Sequence, residues 1–181
     1  MKSKNEYSLP FGKDTLTVSI SDPKVHYSTW GHAVDFLLQY DVPILAVAKG
    51  KVVNVKNDSD VGGDDEKFAD IKYQNYITIK HENEEYSQYV HIAYEGSLVK
   101  EGDMVEEGQP IAKGIGMIGY TTSPHLHFMV FIVKDNEDGF ESLEINWKNN
   151  NHKTYKDESV FEEIQKSKYN PLREAVAKAQ I

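Results

Sequence analysis

The chain has 181 residues, with 20 Lys and Arg against 29 Asp and Glu, which gives a formal net charge of −9 at pH 7. This charge argues against DNA, RNA or an anionic membrane surface as a partner, because binding phosphate groups requires clustered basic residues. The sequence contains no cysteine, which excludes disulfides, thiolate metal sites and a cysteine nucleophile. The length suits one globular domain with a modest extension.

The first residues of the chain, 1–6, are charged or polar and contain no apolar run. They predict neither a signal peptide nor a transmembrane helix in this stretch. We therefore expect a chain without a membrane span, and whether the protein is exported stays open at this point.

Short runs rich in Val, Ile, Tyr and Phe, separated by Gly, Asp and Asn, fill the first two-thirds of the sequence and predict β-strands. The Lys49-Gly50 pair between two apolar runs predicts a hairpin turn. Segment 57–70 carries six acidic residues and is expected to be a solvated loop. The strongest strand prediction is 126–133, which is apolar enough to be buried on both faces. Together these patterns predict an all-β, antiparallel domain over residues 1–134.

Beyond residue 134 the composition shifts to Asp, Glu, Asn and Lys. A further strand is expected within 140–147. Ser159 followed by Glu162 forms a capping-box pattern, and Asn170-Pro171 precedes an apolar stripe with helical spacing. We expect residues 135–181 to form a C-terminal extension, one strand plus short helices, that packs on the β-domain or trails from it.

The clearest chemical signal is a pair of histidines inside the strongest predicted strand. His125 and His127 are two residues apart, so their side chains project from one face, while Leu126 and Phe128 face the other. Neutral imidazole is the commonest metal ligand, and two adjacent imidazoles are hard to bury without a cation or a polar partner. A solvated or hydrogen-bonded pair is the alternative, since one His-x-His motif is weak evidence.

Other polar groups in predicted strands strengthen the case. Asp35 lies in an otherwise apolar run, and a buried aspartate without a partner costs several kcal/mol. It is either a metal ligand or a cap for a nearby turn. His91 lies on a second alternating strand, and His26 and His32 precede Asp35, so that either of them could complete a site.

The order of several segments is informative as a whole: Asp35-Phe36, 42–46, 50–53, 75–81, 89–92, 99–111, 116–120 and 123–128. This order resembles the lysostaphin-type (LytM-like) zinc metallopeptidases, a family of peptidoglycan endopeptidases. The resemblance covers about residues 25–133 and implies a barrel-sandwich hybrid fold, the duplicated hybrid motif. It also implies one Zn²⁺ per chain, a peptide or peptidoglycan substrate, and a location in the cell envelope or outside the cell.

By this resemblance, Asp35 and His127 are zinc ligands. The first histidine of the family usually stands four residues before the aspartate, where this chain has Gly31. We favour His26 as its replacement, because a subgroup with a similar segment around the aspartate carries a longer excursion between the two ligands. His32 is the alternative, although residues 32 and 35 of a strand point to opposite faces. A lost ligand and no metal is the third reading.

Two imidazoles and one carboxylate leave a fourth position for water, which is the arrangement of a catalytic zinc site. The resemblance gives the acid and base work to His91 and His125: one accepts the proton of the water, and the other stabilises the tetrahedral intermediate or protonates the leaving amine. Their alternative role is to orient the ligands. Asn75 and Tyr120 could line the substrate groove, or be a turn residue and a core aromatic.

The sequence departs from the family pattern at two further positions, and two other classes of protein compete with the peptidase interpretation. Met129 stands where family members often carry an acidic residue, and Ser123 where they usually carry Gly; neither change touches a ligand. Segment 99–111 also matches biotinyl and lipoyl carrier domains and sugar-phosphotransfer modules, although no carrier lysine is visible in a tight hairpin.

The sharper alternative is a catalytically silent relative that binds and activates a cell-wall hydrolase. This alternative would follow if Gly31 means that the metal site is incomplete.

Overall fold

A computed structural model describes residues 1–15, 17–21, 26 and 28–148 of the chain. It confirms the predicted all-β class, since the described residues form twelve strands and four short 3₁₀ turns but no α-helix. The strands are β1 (Val18–Ile20), β2 (Val34–Leu37), β3 (Ile44–Leu45), β4 (Gly50–Lys56), β5 (Gly62–Gly63), β6 (Tyr76–Lys80), β7 (Glu85–Val90), β8 (Met104–Val105), β9 (Pro110–Ala112), β10 (Gly119–Tyr120), β11 (His125–Val133) and β12 (Phe140–Ser142). The 3₁₀ turns are Ser28–Trp30, Glu66–Ala69, Ile71–Tyr73 and Glu82–Glu84.

The largest sheet is antiparallel and runs in the order β1-β2-β11-β7-β6-β4-β8, with β12 also paired to β11. One face of this sheet forms the hydrophobic core. Phe36, Tyr89, Leu126 and Phe128 are fully buried there, each worth about 1.5–3 kcal/mol of hydrophobic stabilisation. Because side chains alternate along a strand, burying this set turns the intervening residues of β2 and β11 to the opposite face.

Strand β11 corrects one expectation. We predicted burial on both faces over 126–133, but only the middle of the strand is enclosed in that way, with Met129 and Val130 both buried. At its start His125 and His127 are only partly buried, and at its end Val133 is exposed. The face opposite the core is therefore open at the polar end of β11.

The hairpin predicted at Lys49-Gly50 is wrong. Strand β3 pairs with β9, and β4 pairs with β6 and β8, so β3 and β4 are not partners. The backbone of Ala46 explains the difference. Its N–H donates to the carbonyl of Gln109 and its carbonyl accepts from the N–H of Gly108, so this segment lies against the loop between β8 and β9.

The two ends of the described chain lie beside each other. Isolated bridges join Lys2 to Glu144 and Tyr7 to Trp147, which places residues 140–148 on the β-domain. The strand expected within 140–147 is present as β12, shorter than predicted. The predicted helices around Ser159 and Asn170 lie outside the described residues. No helix in the described part of the chain is long and apolar enough to cross a membrane.

Candidate functional site

The open face of the main sheet brings two of the predicted ligands together through strand pairing. In the antiparallel pair β2–β11, Asp35 lies directly opposite His127. Directly opposed residues project from the same side, about 4.5–5.5 Å apart at Cβ. His26 approaches the same place from the segment before β2 and is 4% exposed. The side chains thus converge although Asp35 and His127 are 92 positions apart.

Three distances define the centre. Asp35 Oδ1 lies 2.8 Å from His127 Nδ1, 3.4 Å from His26 Nε2 and 3.7 Å from His125 Nε2. One ligand atom from each of His26, Asp35 and His127 lies within 4.8 Å of the others. A metal ion that binds nitrogen and oxygen atoms at about 2.0–2.2 Å needs donor atoms grouped this closely.

The structure also separates the two candidates for the ligand expected at Gly31. His26 reaches Asp35, whereas His32 is exposed and its backbone N–H donates to Ser142 Oγ at 3.0 Å. Strand β2 begins at Val34, so His32 lies in the turn that precedes the strand. The geometry therefore groups His26, and not His32, with Asp35 and His127.

Several polar atoms at this centre are buried without a hydrogen bond. Among the described residues, they are both ring nitrogens of His26 and Nε2 of His127. An unsatisfied buried donor or acceptor costs about 1–3 kcal/mol, so a native fold rarely keeps such atoms without a reason. A cation near Asp35 Oδ1 would give Nε2 of His26 a partner.

Asp35 is the anionic member of the group. Burial alone would raise the pKa of this carboxyl, but the hydrogen bond with His127, the contact with His26 and the charge of His125 together hold the pKa of Asp35 well below its ordinary value. Asp35 is therefore a carboxylate at any ordinary pH. Two imidazoles and one carboxylate form a donor set that suits zinc better than calcium or magnesium, which prefer oxygen ligands.

Beside this group stand two further histidines whose rings contact each other, with centroids 4.5 Å apart. His91 Nδ1 lies 2.6 Å from the carbonyl oxygen of Ile118, and His125 Nδ1 lies 2.8 Å from that of Ser123. A carbonyl oxygen can only accept, so each Nδ1 carries the proton and each Nε2 keeps a lone pair. Both rings are thus held in the same tautomer by backbone carbonyls.

The electrostatics keep both rings neutral. Burial, together with the nearby His125 and His127, lowers the pKa of His91 to about 3. Burial also lowers the pKa of His125, although Asp35 opposes that shift. At neutral pH each ring therefore presents an unprotonated Nε2, which is a proton acceptor. The backbone of His91 has φ of +66°, a conformation that non-glycine residues adopt at a cost and often at functional sites.

The two predicted groove residues have different surroundings. Tyr120 follows Gly119 in β10 and is 43% exposed, so its ring is accessible. Asn75 is fully buried, and its side chain bonds to the backbone of Ser59 and Ile92. A role in substrate binding stays a prediction for both residues.

Sequence reasoning missed Trp30, which lies in the excursion between His26 and Asp35. Its ring centroid is 5.7 Å from that of His127 and 5.0 Å from that of Phe140, and the side chain is 38% exposed. A hydrogen bond from Thr29 Oγ1 to Asp138 fixes the same turn from the other side. Trp30 therefore lines one side of the polar centre and is partly open to solvent. Sequence periodicity could not have predicted this position, because the residue lies in a turn.

Two curated relatives are similar in sequence to this chain. It is 34% identical over 101 residues to an uncharacterized metalloprotease of Buchnera aphidicola subsp. Baizongia pistaciae, covering 56% of this chain and 23% of that protein. It is 31% identical over 116 residues to the peptidoglycan DD-endopeptidase ShyB of Vibrio cholerae, covering 61% and 24%. The chain therefore spans about a quarter of the length of these relatives.

The fold is also similar to that of a solved zinc containing peptidase from Vibrio cholerae. The identity is 28% and the TM-score 0.52, over 70% of this chain and 36% of that one. The family model described as peptidase family M23 matches residues 21–139, which include every strand from β2 to β11. This match covers well over half of the sequence and confirms the resemblance to lysostaphin-type peptidases: the chain belongs to peptidase family M23.

Proposed function

We propose that this chain is a zinc-dependent endopeptidase that hydrolyses peptide bonds of peptidoglycan, in its cross-links or in its stem and bridge peptides. The observation that carries the proposal is the grouping of His26, Asp35 and His127 beside the two neutral imidazoles of His91 and His125. The family supports peptide hydrolysis, and the printed name of one relative, a peptidoglycan DD-endopeptidase, supports the substrate.

His26, Asp35 and His127 would hold the metal, and the buried nitrogens of the two histidines fit that role. When bound, zinc supplies a Lewis acid that polarises a carbonyl and lowers the pKa of a coordinated water towards about 7. Asp35 supplies the negative charge, which partly offsets the cost of placing a divalent cation among buried groups.

Hydrolysis adds the oxygen of water to the amide carbon and breaks the C–N bond, so a proton must pass from the water to the departing nitrogen. We assign this transfer to Nε2 of His125, since Asp35 lies 3.7 Å away and its charge stabilises the imidazolium that forms. His91 is a weaker base, with a pKa of about 3, and is therefore not expected to take up the proton. Its Nε2 lone pair can accept a hydrogen bond from the same water. It therefore orients the water.

We place the substrate along the open face, between the exposed rings of Trp30, which contacts His127, and Tyr120, which lies in the segment between Ile118 and Ser123 that contacts His91 and His125. The net charge of −9 disfavours long-range attraction of an anionic polymer. We therefore propose that recognition is local, through the peptide that flanks the scissile bond, and that segments beyond this chain or a partner supply any attachment to the wall.

The metal is tested first, by elemental analysis of the chain purified without chelator, beside His26→Ala and His32→Ala. We expect about one zinc per chain in the unmutated protein and in His32→Ala, and loss of zinc in His26→Ala. Retention of zinc in His26→Ala would contradict the ligand assignment. No zinc in the unmutated protein, even with excess metal, would contradict the metalloenzyme.

The reaction is tested by digestion of purified peptidoglycan with the zinc-loaded chain, followed by mass analysis of the muropeptides. New amino termini, absent when His125→Ala replaces the unmutated chain, are the expected result. A zinc-loaded protein that releases no new amino terminus would overturn the peptidase proposal and favour a binding module that activates another hydrolase.

A further inference from the structure

The two neutral histidines depend on one short segment, residues 118–123, which contains the two-residue strand β10 and is called the 118–123 turn below. The carbonyl of Ile118 at its start fixes His91, and the carbonyl of Ser123 at its end fixes His125. Thr121 Oγ1 lies 2.7 Å from the Ser123 carbonyl and 3.1 Å from His125 Nδ1, which joins the end of the turn to the second ring. A shift of this turn would therefore reorient both Nε2 atoms.

The turn is held from outside by residues 61–63, which we name the glycine strap and which contain β5, the parallel partner of β10. The N–H of Gly119 donates to the carbonyl of Val61 at 3.0 Å, and the N–H of Thr121 donates to that of Gly63 at 2.9 Å. Between these bonds Gly62 lies against the turn so closely that a Cβ would be 2.3 Å from the carbonyl oxygen of Met117. Only glycine allows this approach.

The base of the strap is fixed by Asn75. Its Oδ1 accepts from the N–H of Ser59 at 3.0 Å, and its Nδ2 donates to the carbonyls of Ser59 at 2.8 Å and Ile92 at 3.1 Å. Both donor hydrogens of the amide are thus used by backbone, inside a fully buried site. Ile92 directly follows His91, so one side chain joins the base of the strap to the backbone beside a reacting histidine.

We propose that Asn75 and the glycine strap are positioning residues for His91 and His125, which they hold in one tautomer and one direction through the carbonyls of the 118–123 turn. This inference rests on the proposed function, because it assigns the two histidines to the chemistry. In this role Asn75 needs no contact with the substrate. The acidic 57–70 segment, which contains the glycine strap, would then help to position the two histidines.

The first test is direct observation of the histidine tautomers by long-range ¹H–¹⁵N NMR of the full chain, with and without zinc, at a pH of about 8, where the rings are neutral. In Gly62→Ala we expect His91 and His125 to change from a pure Nδ1–H form to a mixture of tautomers. His81 is an internal control, since its Nδ1 lies 2.8 Å from the carbonyl of Lys49, far from the strap in the chain, and should stay unchanged.

A matched control is Asp64→Ala in the same loop, because the Asp64 side chain is exposed and makes no hydrogen bond or ion pair with the described residues. It should leave all three histidines unchanged. Should Gly62→Ala not fold, Asn75→Asp makes the same test, because it keeps the acceptor for Ser59 and loses the donations to Ser59 and Ile92. The proposal is overturned if His91 and His125 keep the pure Nδ1–H form in a folded variant whose Gly119 and Thr121 amide signals have moved.

The second test separates this inference from the proposed function. On cross-linked muropeptides, Gly62→Ala and Asn75→Asp should lower kcat about 10- to 100-fold, with KM and zinc content within about twofold of the unmutated chain. A loss confined to KM, or shared by Asp64→Ala, would contradict positioning. If the unmutated chain has no activity, the proposed function fails, and the tautomers still decide whether the strap orients the two rings.

Discussion

Two buried histidines in this molecule have opposite surroundings. His81 is 6% exposed and His26 is 4% exposed. Both ring nitrogens of His81 lie 2.8 Å from a partner, the carbonyl of Lys49 and the hydroxyl of Ser87, whereas neither ring nitrogen of His26 has a hydrogen bond. Burial alone therefore does not mark a functional histidine. A buried ring with both partners present is part of the core, and a buried ring without them indicates a missing ligand.

Substitutions at a histidine of the proposed centre and at His81 should differ most in their effect on kcat. His125→Ala removes the proposed proton acceptor and should lower kcat on cross-linked muropeptides about 10²- to 10⁴-fold, with zinc retained. His81→Leu should leave kcat within a few-fold, because His81 lies outside the metal centre. Kinetics and zinc content measured on the same preparations check this. Equal losses in the two variants would break the distinction between the two kinds of histidine.

In the zinc-free chain, substitution of His81 should cost more stability than substitution of His26. His81→Leu should lower the free energy of unfolding by about 2–4 kcal/mol, because it loses two hydrogen bonds and leaves the Ser87 hydroxyl with the longer, 3.3 Å bond to Tyr89. His26→Leu should cost about 1 kcal/mol or less, since it removes two unsatisfied nitrogens. Urea unfolding of both variants at one pH makes the comparison, and a larger cost at His26 would contradict it.

The lowered pKa of His81 should make the stability of the chain depend on pH in the acid range. Burial lowers the pKa of His81, so between that value and about 6.5, where the unfolded chain titrates, only the unfolded state binds the proton. The free energy of unfolding therefore falls as the pH is lowered through this window, by at most about 1.4 kcal/mol per pH unit for one group. Unfolding of the zinc-free chain at several pH values should show a shallower slope in His81→Leu. An unchanged slope would mean that His81 has the same pKa in the folded and unfolded chain, and would contradict the prediction.

The smallest expected effect concerns Trp30, which contacts the metal centre only from its side. Trp30→Ala should raise KM for cross-linked muropeptides about 3- to 10-fold with little change in kcat, because a lost apolar contact is worth about 1 kcal/mol. Trp30→Phe keeps a ring at this place and should recover most of the difference. An effect on kcat alone would instead assign Trp30 to orienting His127.

Strand alternation explains why part of the centre could be predicted from the sequence. The two-residue spacing of His125 and His127 and the apolar neighbours of Asp35 place all three side chains on the face opposite the core, as observed. The grouping of His26 with Asp35 agrees with the expectation from the family resemblance. Its role as a ligand stays a prediction until metal is measured.

Contacts made by loops could not be predicted in this way. The carbonyls that fix His91 and His125, the glycine strap and the position of Trp30 all belong to turns or to two-residue strands, which are too short to show a sequence period. The wrong hairpin at Lys49-Gly50 has the same origin, because the partner of β3 is a segment more than sixty residues later. Local turn signals locate a change of direction, but they do not identify the strand that lies alongside.

The pairing of β2 with β11 also sets the order of events during synthesis. Asp35 leaves the ribosome long before His127, and their contact spans 92 positions. A metal held by both residues can bind only after the last long strand has closed onto the sheet. On the proposed ligand assignment, the growing chain would therefore complete this centre only after nearly all of the β-domain has been made.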